Sequence, residues 1–121
     1  MPTILVVDDE EPVRGFLARL LMDDGYQVRL ANHGRHALEL MEKDLPDLVL
    51  SDVMMPVLSG RELCQRLKSR EETRDIPVIL MTSSGQKATE GTGADDSIAK
   101  PFDLDAVEAL VQRWLPGEAV P

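Results

Sequence analysis

Residues 3–25 read TILVVDDEEPVRGFLARLLMDDG. Five β-prone residues, Thr3 to Val7, stop abruptly at the acidic pair Asp8-Asp9. A different period then begins: Val13, Phe16, Leu17, Leu20 and Leu21 stand at the i, i+3, i+4, i+7, i+8 spacing of a helix that buries one face. Pro12 sits where a first helical turn tolerates it, and Gly25 stands where a helix ends in a left-handed residue. One strand followed by one helix, joined by acids, is the unit that the rest of the chain repeats.

Tyr26 to Leu30 reads as a second, shorter strand, and Ala37, Leu38, Leu40 and Met41 mark a second helix from about His33 to Lys43. Residues 47–52, Asp-Leu-Val-Leu-Ser-Asp, form the third strand, followed by a loop that contains Met54, Met55 and Pro56. Ser59 with Glu62 three residues on is a capping-box pattern, opening a helix that buries Leu63, Cys64 and Leu67. Residues 76–81 (IPVILM) are a buried strand that ends at Thr82, and Ile98-Ala99 centre a fifth strand that reaches Lys100-Pro101. The last helix runs from Asp103, an N-cap, to about Leu115, with Leu104, Val107, Leu110, Val111 and Trp114 on one face. A helix is due between the fourth and fifth strands, yet residues 83–94 hold Gly85, Gly91 and Gly93 and no apolar face. Each Gly costs roughly 1 kcal/mol against Ala inside a helix, so that helix is expected to be shortened or missing and the segment mobile.

Near-continuous apolar strands alternating with amphipathic helices imply an α/β fold with a parallel sheet covered on both faces. Five strands favour the flavodoxin-like doubly wound order 2-1-3-4-5. The 121 residues suit one domain, expected over 1–116 with a tail at 117–121. At this size folding buries roughly two-thirds of the unfolded surface, enough for one core. Thirteen basic against 22 acidic residues leave a net charge of −9, which argues against binding nucleic acid or anionic lipid. The lone Cys64 can form neither an internal disulfide nor a thiolate metal cluster, which fits a reducing cytoplasm. No apolar run approaches the ~20 residues that span a bilayer, and the N-terminus has no signal-peptide pattern.

In a doubly wound sheet, ligands bind beyond the carboxyl ends of the strands. Those ends carry Asp8 and Asp9 after the first strand, Asp52 after the third, Thr82 after the fourth and Lys100 after the fifth. Carboxylates gathered this closely repel one another. A hard divalent cation such as Mg²⁺ relieves the repulsion through oxygen ligands. With the cation in place, Asp52 is suited to act as a nucleophile toward phosphorus, with Lys100 and the Thr82 hydroxyl neutralising phosphoryl oxygens.

The segments ILVVDDEEPVR (4–14), PDLVLSDVMMP (46–56), GRELC (60–64), IPVILMTS (76–83) and AKPF (99–102) together resemble the receiver domain of response regulators in bacterial two-component signalling. The resemblance covers essentially the whole chain. It implies that Asp52 accepts a phosphoryl group from a histidine kinase or histidine phosphotransfer protein, and that the domain then switches to control an output partner. By the same resemblance, Asp9, Asp52 and the backbone carbonyl of Met54 ligate Mg²⁺, and Asp8 holds a metal-bound water. The backbone N–H groups of Met54 and Ser83 bind the phosphoryl oxygens with Lys100 and Thr82, and Lys100-Pro101 is a cis peptide. Two departures stand out. Ser97 occupies the position, three before the lysine, where the family usually has Tyr or Phe, and the segment between Thr82 and Lys100 is short. Both bear on the family's usual output face. Met54, two residues beyond the acceptor, offers no side-chain hydrogen bond to position water, so slow autodephosphorylation is expected.

Other residues carry bland readings. His33 and His36 are expected to be solvent-facing, Arg70-Glu71-Glu72 a solvated helix end, and Cys64 a small buried apolar group. A phosphorylation-independent docking domain is the competing function. An Asp-nucleophile hydrolase is disfavoured because Met54, not a carboxylate, follows Asp52 by two. A flavin module is disfavoured because acids replace a phosphate-binding loop after the first strand. A homodimer through the last strand and helix is compatible with the sequence, as are a stand-alone receiver and a piece of a longer regulator or hybrid kinase.

Overall fold

The computed structural model describes residues 2–83 and 91–115. Their elements run β1 (Thr3–Val7), α1 (Glu11–Asp23), β2 (Gln27–Ala31), α2 (Gly34–Lys43), β3 (Leu48–Asp52), α3 (Gly60–Lys68), β4 (Val78–Thr82), β5 (Asp96–Ala99) and α4 (Leu104–Trp114). The strands form one parallel sheet in the order β2-β1-β3-β4-β5. The first strand lies one in from an edge; the chain winds out to that edge, returns across β1 and winds to the other, so the switch point lies between β1 and β3.

The period of two along each strand divides the core into two layers. Leu5, Val7, Val49, Val78 and Leu80 point to one face, where Ala37 and Met41 of α2 and Leu63, Cys64 and Leu67 of α3 cover them. Ile4, Val6, Leu48, Leu50, Ile79 and Met81 point to the other, under Leu17 and Leu21 of α1 and Val107 and Val111 of α4. Central strands β3 and β4 are buried along their whole length, which is why they read as unbroken apolar runs.

Local signals act where the sequence puts them. The Ser59 side chain accepts from the Glu62 N–H while Glu62 accepts from the Ser59 N–H, closing the capping box at the start of α3. Asp103 accepts from the Ala106 N–H and opens α4. Gly25 has φ +96° beyond the end of α1. The fourth strand starts at Val78, later than the apolar run suggests, because Pro77 has no N–H to give to a ladder.

Three expectations need correction. Phe16 is 46% exposed: on α1 the buried stripe centres on Leu17 and Leu21, and Phe16, one residue or about 100° away, falls on its flank. Leu104, the first residue of α4, is also exposed. His33 and His36 are half-buried and structural. His33 is the N-cap of α2 and its Nδ1 accepts from the His36 N–H at 3.1 Å, while His36 Nδ1 accepts from the Asn32 N–H at 3.3 Å.

The helix expected to be short or missing between β4 and β5 falls largely on residues 84–90, outside the described residues, as does the tail at 117–121. The described part, Gly91 to Asp95, is not helical, since Gly91 and Gly93 have φ +72° and +80°. This part is fastened to α3. Lys68 Nζ donates to Asp95 Oδ2 at 2.7 Å and to the carbonyls of Ile76 (2.8 Å) and Arg74 (3.1 Å). On the edge strand β5, Asp96 Oδ2 accepts from the indole N–H of Trp114 at 3.0 Å, pinning β5 to α4.

Candidate functional site

The site is assembled at the carboxyl ends of β1, β3, β4 and β5. Asp8 follows β1 directly; its N–H donates to the Ala31 carbonyl and its own carbonyl accepts from Arg14 Nη1 at 2.7 Å. Its side chain is fully buried, and one oxygen accepts from the Glu10 N–H at 2.9 Å. Asp52 ends β3 and is also buried. Thr82 ends β4, buried, and its carbonyl accepts from the Lys100 N–H at 2.7 Å, so the end of β4 positions the lysine that follows β5. The Lys100-Pro101 peptide is cis, as expected.

Lys100 is the hub. Its Nζ lies 2.8 Å from Asp8 Oδ2, 3.3 Å from Asp52 Oδ1 and 3.3 Å from Glu10 Oε1. The carboxylates of Asp8, Glu10 and Asp52 each offer an oxygen within 4.8 Å of the others, the one such acidic cluster among the described residues. Asp9 is exposed and stands outside that set, and Glu10 stands inside it. Sequence reasoning missed Glu10. The signal was the third acid after β1, but which acid of the turn faces the pocket depends on how the turn is wound.

The electrostatics follow from burial and crowding. Burial pushes the Asp52 carboxyl above the usual aspartate range; Lys100 opposes this, and Asp8 and Asp9 add to it. Burial pulls the Lys100 ammonium down, but Asp8, Asp52 and Glu10 outweigh it and hold its pKa above the ordinary value. One ammonium therefore faces more negative charge than it neutralises. These all-oxygen donors fit a hard divalent cation and offer nothing to a soft one.

The loop after β3 is tightly held at both flanks. Gly60, the first residue of α3, donates its N–H to the Val53 carbonyl at 2.9 Å, and a Cβ there would collide with the backbone carbonyl of Asp52. A Cβ on Gly34 of α2 would lie 2.8 Å from the Leu58 carbonyl. Between them Val57 has φ +72°, with the Leu58 N–H donating to the Pro56 carbonyl at 2.8 Å, a strained three-residue turn around a β-branched residue. Met54, two residues beyond Asp52, is 75% exposed. Ser83 is exposed and helps line a groove of about 590 Å³ with Pro12, Val13, Phe16, Lys100 and Phe102. The groove shares Lys100 with the acidic pocket. Ser97 lies on β5 opposite Leu80, half-buried.

A parallel sheet of this order with an acidic, lysine-bridged pocket at its switch point defines a doubly wound α/β domain whose carboxylate cluster could hold a cation. Comparison with known proteins narrows this. Residues 4–112 match the response regulator receiver domain family. The chain is 43% identical over 123 residues to response regulator MprA of Mycolicibacterium vanbaalenii, an alignment covering 95% of this chain and 52% of that protein. The receiver domain of a signal transduction histidine kinase from Syntrophus aciditrophicus superposes with TM-score 0.91 at 35% identity, covering 98% and 92% of the two chains. The receiver domain of a sensor histidine kinase from Pseudomonas aeruginosa, determined with a magnesium ion coordinated in the active site cleft, superposes with TM-score 0.87 at 28% identity, covering 94% and 97%. The chain belongs to the response regulator receiver domain family. It spans about half the length of the response regulator it matches. Among the described residues no helix is long and apolar enough to cross a membrane.

Proposed function

We propose that this domain, over residues 1–116, is a phosphorelay switch in the cytoplasm that accepts a phosphoryl group on Asp52. The observation that carries this is the meeting of the buried Asp52 carboxylate, the buried Asp8 carboxylate and the Lys100 ammonium within 3.3 Å contacts at the sheet's switch point. The donor is a phosphohistidine on a histidine kinase or histidine phosphotransfer protein. An Asp52 oxygen forms the new P–O bond as the donor's P–N bond breaks, the imidazole leaving with that bond's electron pair. Lys100 moves from the carboxylates to a phosphoryl oxygen, and the Thr82 hydroxyl and the N–H groups of Met54 and Ser83 donate to the others. Asp8, Asp9 and Asp52, with the Met54 carbonyl, are the residues that would hold Mg²⁺. Bound there, the ion supplies positive charge that offsets the carboxylates and the incoming phosphoryl group.

The apolar groove around Phe16 supports docking of the donor protein, because its wall includes Lys100 and so opens onto the acceptor. The net charge of −9 supports protein rather than nucleic-acid or membrane partners. Met54, turned out to solvent, supports slow autodephosphorylation as the domain's only further chemistry. Ser97 on β5 favours a read-out that does not use an aromatic side chain there; a phosphorylation-independent docking role is the reading that remains if Asp52 fails to react.

Acetyl phosphate with Mg²⁺ is expected to add one phosphoryl group per chain, seen by intact-mass spectrometry. Asp52→Asn abolishes it. Labelling that persists in that variant, or none in the parent chain from either acetyl phosphate or a panel of histidine kinases, refutes the assignment.

A further inference from the structure

Lys100 rests against three carboxylates that differ in depth. The Asp8 side chain is fully buried, that of Asp52 is 9% exposed and that of Glu10 61% exposed, at the mouth. The two deep ones, Asp8 and Asp52, are both among the residues proposed to hold a divalent cation here, and Glu10 is not. A cation and an ammonium cannot share the same oxygens without facing each other at close range. Glu10 is the partner left over. Its backbone is fixed on both sides, its N–H on Asp8 and its carbonyl accepting from the Arg14 N–H at 3.1 Å, so its carboxylate is leashed within reach of Lys100.

We infer that Glu10 is a positioning residue for Lys100: it keeps the ammonium at the pocket mouth when a divalent cation takes the Asp8 and Asp52 oxygens. The inference rests on the reading of this pocket as a cation and phosphoryl site. In the resting protein Glu10 is one contact of three. In the cation-loaded protein it is the remaining carboxylate contact, and it holds Lys100 where a phosphoryl oxygen would arrive. An ammonium released to water instead would have to be recaptured for each transfer. Glu10 thus assists cation binding indirectly, by giving the displaced lysine somewhere to go.

The test is a double-mutant cycle on Mg²⁺ affinity, measured by calorimetry with the full chain as wild type, Glu10→Gln, Lys100→Gln and the double variant. Glu10→Gln is expected to weaken Mg²⁺ binding about two- to fivefold, the scale of a rim ion pair, and to have no effect when Lys100 is already Gln. Equal weakening in both backgrounds means that Glu10 acts on the cation by charge alone and overturns the inference, as does no weakening in the wild-type background. Wild type that fails to bind Mg²⁺ sinks the pocket reading as well; binding lost in Asp52→Asn yet indifferent to Glu10 sinks only this inference. Lys100→Gln strands buried Asp8 and can unfold the chain, so a second measurement leaves the lysine in place. With saturating Mg²⁺, the side-chain ¹⁵N signal of Lys100 is expected to be sharp in wild type and broadened by water exchange in Glu10→Gln; equal linewidths overturn the inference.

Discussion

Two lysines at opposite ends of the sheet show the difference between a fastening and a site. Lys68, at the amino end of β4, gives its three N–H bonds to one carboxylate and two carbonyls. The charges cancel, and the Asp95 oxygen it holds also accepts from the Val78 N–H at 2.8 Å. Lys100, at the carboxyl ends, faces three carboxylates and leaves negative charge in excess. The first arrangement is complete and rigidifies the fold. The second leaves a surplus of negative charge that an incoming cation would offset. Counting charges around each ammonium separates the two roles more surely than burial, since both lysines are largely covered.

The largest effect is expected at Lys68. Lys68→Met leaves Asp95 and two carbonyls short of a donor and is expected to cost about 2–3 kcal/mol in urea unfolding, while the rise in melting temperature on adding Mg²⁺ persists. Loss of the Mg²⁺ response in that variant would mean that the two ends are not separate. A smaller effect is expected at Asp52. Its folded pKa is raised, so the fold prefers the protonated acid, and ionisation costs stability as pH climbs from the unfolded value through the folded one. Without divalent ions, Asp52→Asn should therefore melt above wild type at neutral pH, and the gap should close as the pH falls toward 4. Saturating Mg²⁺ should narrow or reverse the neutral-pH gap; a thermal melt series over pH, with and without Mg²⁺, reads both. The smallest effect sharpens the loop beside the acceptor: Val57→Gly removes a left-handed strain and should stabilise by about 1 kcal/mol, read by urea midpoint at unchanged slope.

Most of the architecture was legible because apolar runs of strand length stop at charged or hydroxyl residues. That abrupt change from β-prone to polar identified Asp8, Asp52, Thr82 and Lys100 as rim residues, and the fold then made them neighbours. Phe16 was misplaced because a helical stripe fixes which side is buried but not where its edge falls. Glu10 was missed because the winding of a three-residue turn is not periodic. Neither the bond between Lys68 and Asp95, 27 positions apart, nor the left-handed Val57 leaves a local trace; a glycine at 57 would have announced the turn, and a valine conceals it. His33 as a helix cap escaped notice for the same reason, since histidine is not among the residues that usually signal one.

Trp114 is the sole indole of the chain and is tied to Asp96 on the edge strand. Its emission therefore comes from a single origin, free of overlapping sources. Any rearrangement that prises β5 from α4 would relax that donor and shift the spectrum, which makes the native protein its own optical gauge, with no dye attached, for movement of the strand that leads into Lys100.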